Sequence, residues 1–296
     1  MTYFGVLVIN GISLGFIYAL ITLGFVMIFQ STGVVNFAIG SMSLFGAYIV
    51  AVLHKTTGFV PALVLGVVAG AVLAFLVERL LVSRARHADL STLVILTLGV
   101  DLVLAIELTR RIGRDVLSFG DPWGTSTAAL GPFIVPQARI AALFLAVAFV
   151  ALFFAAIKYT NWGIATRANT EDLEAAALMG VSRGRVSLIA WMVAGALATF
   201  GGVFLGMAPS PGLTATANVT ALNALPAAVV GGLDSAGGAV AGGVIIGIVQ
   251  SLAVGYNSEL TFLGSPLGNV ATYGVMLLVL LWRPSGLFGA REVARV

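Results

Sequence analysis

Apolar residues run along this chain in long unbroken stretches rather than in alternation. The first charged side chain is Lys55, and between Val186 and Trp282 only Asp234 and Glu259 carry charge. A bilayer-spanning helix takes about 20 apolar residues. The runs predict spans at 3–29, 34–53, 59–82, 89–108, 139–158, 187–207, 219–233, 238–256 and 267–282. That makes about nine transmembrane helices, or eight if the short segment at 219–233 is re-entrant. Helices are required, because a lone strand in lipid leaves its backbone polar groups unsatisfied and the two-residue period of a barrel is missing. The expected fold class is all-α: a polytopic membrane protein with broken helices and a weak internal repeat. It forms a single transmembrane domain over 1–296 with a cytoplasmic loop at 159–186. The stretch from Tyr3 to Phe29 lacks a preceding basic region and is too long for the core of a signal peptide, so it is expected to stay as the first span.

Composition narrows the class further. Of 296 residues, 59% are hydrophobic and 9% charged, against roughly 25% charged in soluble domains. That excludes a soluble globule, a disordered chain and a coiled coil. With no Cys, disulfides, thiol catalysis and Cys-ligated metals are excluded; His54 and His87 match no metal-ligand spacing. The net charge of +3 reflects loop Lys/Arg, with no basic stripe for nucleic acid. If the loop at 83–88 is cytoplasmic, so are Arg79, Arg84, Arg86, Lys158, Arg167, Arg183, Arg185, Arg283, Arg291 and Arg295. Lys55, Arg110, Arg111, Arg114 and Arg139 then fall outside. Ten against five places the N-terminus outside and the C-terminus inside. That orientation requires an odd number of crossings, so 219–233 must cross.

Two stretches are unlike ordinary spans. Gln30–Ser43 and Asn223–Gly238 each mix Gly with hydroxyl or amide side chains at the start of an apolar run. Short interrupted segments in corresponding positions of two halves point to a substrate path. The candidate pathway residues are Asn36, Ser41, Ser43 and Asn223, together with Asp101, an acid inside the span at 89–108. A membrane-embedded acid is costly and reads as functional by default; pairing with a neighbouring helix is the structural alternative. Glu107, close to the edge of the same span, reads as interfacial. Most of the glycines, Gly195, Gly201, Gly202, Gly206, Gly242, Gly243 and Gly247 among them, let helix backbones approach.

The loop Asn161–Ser187 carries a short helix pattern. Asn169 is placed to cap it, with the acids Glu171, Asp172 and Glu174 at its positive end. Leu173, Ala176, Ala177 and Gly180 recur at helical spacing on one face, and Gly180 is suited to a left-handed cap. A small apolar face with an acidic rim fits a groove on a soluble partner.

Glu174-Ala175-Ala176, three residues, then Gly180 resembles the EAA loop of bacterial ABC importer permeases. The run Asn10-Gly11-Ile12-Ser13-Leu14-Gly15-Phe16-Ile17-Tyr18-Ala19-Leu20 looks like the first-span signature of the branched-chain (hydrophobic) amino-acid permease family. Asn36-Phe37-Ala38, Gly231-Gly232-Leu233 with Gly237-Gly238-Ala239-Val240, and Trp282–Gly289 match it in order and spacing. The family usually continues Asn-Phe-Ala with His-Gly-Glu; this chain has Ile39-Gly40-Ser41. Wherever those polar groups touch substrate or gate in relatives, cargo or gating here is expected to differ.

The resemblance implies a half-channel that pairs with a second permease, identical or homologous. Two cytoplasmic ABC ATPases would drive the pair, and an extracytoplasmic binding protein would deliver branched-chain amino acids or related small polar solutes. It implies that Glu171, Leu173, Glu174, Ala175, Ala176, Met179 and Gly180 form the ATPase-coupling element. No Gly-x-x-x-x-Gly-Lys-Ser/Thr loop occurs, and Lys appears only at 55 and 158. The chain is therefore expected to be no enzyme and to hold no cofactor, ATP being used by the partner subunits. An ion- or proton-coupled transporter is the alternative; it needs an ionisable relay, for which Asp101 and Glu107 are the available pair.

Overall fold

The computed structural model describes residues 2–85, 88–120, 122–124, 126–130, 133–207, 212–257 and 267–289. Arg86, His87, Glu259, Arg291 and Arg295, which entered the expectations above, lie outside the described residues.

Seven helices among them are long and apolar enough to cross a membrane. They are α1 (Thr2–Thr32), α2 (Ile39–Thr57), α3 (Phe59–Val77), α4 (Leu90–Ile112), α5 (Gln137–Tyr159), α8 (Arg183–Leu205) and α11 (Ala236–Gly255). A π turn, Glu78–Val82, extends α3. The expected spans at 219–233 and 267–282 are shorter helices: α9 (Ala217–Leu222) with α10 (Ala224–Gly231), and α12 (Leu267–Trp282). The loop at 159–186 holds α6 (Asn161–Glu171) and α7 (Leu173–Leu178). Among the described residues β1 (Thr127–Leu130) and β2 (Phe133–Pro136) form an antiparallel pair that matches Thr127 with Pro136.

The central helix is α1, packed against α11, α8, α5 and α10. Hydrophobic transfer does not drive helix association inside lipid, so close packing must. Along the antiparallel α1–α11 seam, small residues meet backbone: a Cβ on Gly15 would lie 2.5 Å from Val244 Cα, and one on Gly247 would collide with the Gly15 backbone. The peripheral helices α4 and α5 turn Ile95, Leu102, Val103, Phe144 and Leu152 outward, as lipid-facing surfaces do.

Contacts sort the chain into two ends. At one, Tyr3 Oη donates to Gly255 O at 2.8 Å, and Leu117 pairs with Leu213. At the other, Gln30 Nε2 donates to Asp234 O at 2.8 Å, and Ser187 Oγ to Glu78 Oε1 at 3.2 Å. From Leu213 at the first end the chain passes through α9 and α10 to Gly232 at the second, so it runs from one end to the other over 217–231. There Leu287 N and Phe288 N donate to Val230 O and Gly231 O at 2.8 and 3.1 Å. The segment after α12 thereby satisfies carbonyls that a helix end leaves open.

The second expected span begins five residues later than the apolar run, and for a physical reason. Gly33, at φ +77°, turns the chain out of α1, and residues 33–38 return non-helically into the bundle. Ile39, the first residue of α2, sits beside Gly24 of α1 and Ala194 halfway along α8. Non-helical backbone at that depth is tolerated because protein encloses it.

Candidate functional site

Five helices, α1, α5, α8, α9 and α11, line a cavity of about 500 Å³ towards the Tyr3 end of the bundle. Leu7, Asn10, Leu14 and Tyr18 line it from one face of α1, and Gln250, Ser251 and Val254 from α11. Arg139, in the first turn of α5, Leu205 at the end of α8, and Thr214, Ala217 and Thr220 complete the wall. Arg139 is half-buried, and its Nη1 donates to Asn10 O at 3.1 Å. Among the described residues no carboxylate pairs with it. Ser13 Oγ in turn donates to Arg139 O at 2.9 Å, which ties α5 to α1 at this level.

Deeper in, Tyr18 is fully buried and its hydroxyl donates to Gln250 Oε1 at 2.5 Å. The same hydroxyl reaches the side chain of Asn223, whose Nδ2 donates to Asn269 Oδ1 at 3.1 Å. A row of polar side chains, Asn269–Asn223–Tyr18–Gln250, thus joins α12, the α9–α10 junction, α1 and α11 at the cavity. Tyr18 and Asn223 are buried and Gln250 and Asn269 half-buried; buried polar groups are costly unless paired, so this row marks a position that packing alone does not require.

The candidate pathway residues divide. Asn223 belongs to this row. Asn36, Ser41 and Ser43 are buried, and they and Asp101 do not line the cavity. Asn36 Oδ1 accepts from Ala38 N at 3.0 Å, an Asx turn that fixes the chain just ahead of α2 inside the bundle. Ser43 packs against Gly202 of α8. Ser41 Oγ donates to Asp101 Oδ1 at 2.6 Å, joining α2 to the midpoint of α4. Glu107 is paired on the α4 surface, its Oε1 accepting from Arg110 Nη2 at 2.9 Å and from Arg111 Nε at 2.6 Å. Asp101 and Glu107 are each committed to a local partner, and no chain of ionisable groups joins them among the described residues.

In the loop, the expectation of one helix capped by Asn169 is corrected. Asn169 lies inside α6 and is buried; the chain breaks at Asp172, whose Oδ1 accepts from Glu174 N at 3.0 Å and Ala175 N at 2.9 Å. An extended residue with a short carboxylate is a better cap here than an amide already within a helix. Gly180, at φ +85°, ends α7: Val181 N donates to Ala176 O and Gly180 N to Ala177 O, each at 3.0 Å, the paired bonds of a Schellman motif. The expected apolar face is also revised. Ala176 is turned inward at 5% exposure, whereas Leu178 and Met179 stand out at 88% and 86%. Glu171, Asp172, Glu174 and Ala175 are exposed around them; the side chain of Leu173 lies outside the described set.

Sequence reasoning missed Arg139, Gln250 and Leu178 as functional positions. For the α1 contribution a signal was present: Leu7, Asn10, Leu14 and Tyr18 recur at helical spacing, with two polar side chains on a face otherwise apolar. Nothing local links them to Arg139 or Gln250.

Comparison with known proteins places this architecture. Residues 7–281 match the family model described as branched-chain amino acid transport system / permease component. The high-affinity branched-chain amino acid transport system permease protein LivH of Escherichia coli K12 is 31% identical over 99% of this chain and 98% of its own. BraD of Pseudomonas aeruginosa, named for the same system, is 27% identical over 97% and 96%. A solved structure titled PsaBC from Streptococcus pneumoniae in complex with Fab superposes with a TM-score of 0.51, covering 95% of this chain and 91% of that one at 14% identity, a likeness of fold alone. With a family model spanning nearly its whole length and relatives aligned end to end, this multi-pass membrane chain belongs to the permease family of branched-chain amino acid ABC transporters.

Proposed function

We propose that the chain is one of two permease subunits of an ATP-driven importer of branched-chain amino acids, coupled to cytoplasmic ATPases through α7. The observation that carries the coupling is α7 itself. It is a short helix fixed at both ends by hydrogen bonds, with Leu178 and Met179 almost fully exposed inside an acidic rim. Two large apolar side chains in water at one tip are a docking feature, and a capped helix transmits displacement where a loose loop would not. A partner drives the permease between two states only by contacting this helix differently in each.

The end that carries α6 and α7 also holds Arg79, Arg84, Lys158, Arg167, Arg183, Arg185 and Arg283, which supports placing it in the cytoplasm. The cavity then opens towards the outside, where a binding protein releases cargo. The second permease supplies the other half of the path, and ATP is hydrolysed on the ATPase subunits.

The test is uptake of radiolabelled leucine into vesicles holding the full assembly. Met179→Asp places a charge where the apolar contact is made; Gly180→Val strains a left-handed backbone position. Both variants are expected to insert normally, to lose uptake by at least about tenfold, and to lose ATPase co-purification, since charging a desolvated anchor typically costs several kcal/mol. Wild-type uptake by both would overturn the coupling role.

A further inference from the structure

The cavity beside Arg139 has a chemistry that goes beyond lining a path. We propose that it is a recognition subsite for a free α-amino acid with an aliphatic side chain. The Arg139 guanidinium takes the carboxylate, the Asn10 side-chain oxygen takes the ammonium group, and Leu7, Leu14, Leu205 and Val254 take the side chain. This deepens the proposed function and rests on it.

Three independent features converge. Arg139 is a cation held half-buried at the bundle wall, with only the Asn10 carbonyl as its acceptor among the described residues. Its planar fork presents further donors in the geometry that suits a carboxylate. Asn10, on the facing helix, has a buried Oδ1 that no protein donor reaches. A buried acceptor without a donor is an expensive group, and its terminal torsion is soft, so a modest turn brings it to a ligand ammonium group. The remaining wall is mainly apolar, and the volume of about 500 Å³ lies within the range of small-molecule sites. A cation, an unsatisfied acceptor and an aliphatic wall together describe a zwitterion with a hydrocarbon side chain. A simple anion would leave the Asn10 oxygen unsatisfied, and a cation would be repelled by Arg139.

The site adjoins the Tyr18–Gln250 hydrogen bond, and Tyr18 lies beside Asn223, so an occupant sits next to the α9–α10 junction. Tyr18 and Gln250 are positioning residues here: they close the floor of the cavity and leave the charged contacts to Arg139 and Asn10.

The absence of Cys from the chain permits a direct test. Thr220→Cys puts a single thiol on an exposed residue of the cavity wall. In vesicles holding the full assembly, the rate of maleimide labelling of this chain is measured with leucine, with leucinamide, which lacks the carboxylate, and with phosphatidylglycerol added to the bilayer. Saturating leucine is expected to slow labelling about tenfold and leucinamide to leave it unchanged. Arg139→Gln should abolish the protection, and Arg139→Lys should keep part of it, as loss of a charge-assisted hydrogen bond predicts. Should Arg139→Gln fail to fold, the leucinamide arm and the lysine variant still decide the matter. Labelling indifferent to leucine, in vesicles that import leucine, would overturn the subsite and leave the importer reading standing. Protection by phosphatidylglycerol alone would assign the cavity to a lipid headgroup and equally overturn it. Vesicles that import no branched-chain amino acid even with a binding protein present would overturn the importer reading itself.

Discussion

The bundle is interrupted twice, after α1 and between α9 and α10, and the two interruptions use the same vocabulary for different ends. Both are written in Gly, amides and hydroxyls ahead of an apolar run. At the first, the backbone leaves the helix altogether between Gly33 and Ala38, and the amide of Asn36 is spent on backbone repair, accepting from Ala38 N. At the second, the backbone hardly deviates. Asn223 itself stays in the right-handed helical region at φ −63° and ψ −10°, and Pro226, which has no N–H to give, follows within a turn. With its helix nearly intact, Asn223 has its side chain free for Tyr18 and Asn269. A break that must seal itself consumes its polar groups; one that only loosens the helix leaves them available at the cavity.

The largest test of this contrast is at Asn36. Asn36→Leu removes the acceptor for Ala38 N at a fully buried position. A buried donor without a partner costs about 1–3 kcal/mol, a large share of marginal stability. The folded fraction in mild detergent should fall sharply, read by size-exclusion profile and thermal unfolding. Asn36→Ser keeps a side-chain oxygen able to make the same turn, though more weakly, and should recover part of the loss. Equal loss in both variants would mean that Asn36 acts through its volume, and that its side-chain oxygen does not seal the first break.

Asn223→Leu should separate stability from transport. Its Asn269 partner is only part-buried, and Tyr18 keeps its bond to Gln250, so no fully buried group loses its last partner. The expected result is a thermal midpoint close to wild type with leucine uptake reduced severalfold, since the cavity floor loses its link to α9 and α10. A variant as destabilised as Asn36→Leu would show that both breaks serve only packing.

How far the chain announced this arrangement varied with the physics of each element. Span 59–82 was legible to the residue, because its apolar run is bounded by the turn at Gly58 and by Ser83-Arg84. Helix α4 runs one turn past its expected end at 108, because Arg110 and Arg111 fold back onto Glu107 at helical spacing, so charges that read as loop are satisfied on the helix. The start of α2 was misplaced because an apolar run does not distinguish helix from extended chain buried in protein. Gly180 was readable because a left-handed cap is a local demand. Arg139 and Gln250 were not, because their meeting with Tyr18 depends on how α1, α5 and α11 pack, and no local pattern encodes a contact across more than a hundred residues.

The finest distinction lies on the sealed side, at the bond from Ser41 to Asp101. It bridges α2 and α4 just beyond the first break, at 2.6 Å. Asp101 is half-buried on a helix with little of its surface inside the bundle, so the bond is not locked into the packed core. Ser41→Ala should therefore cost only about 1 kcal/mol, the usual net worth of one such bond. In a double-mutant cycle with Asp101→Asn the coupling should be of similar size, with uptake little changed by Ser41→Ala. If Ser41→Ala instead stopped transport while leaving the thermal midpoint intact, the pair would be a moving contact, and the first break, like the second, would belong to the transport path.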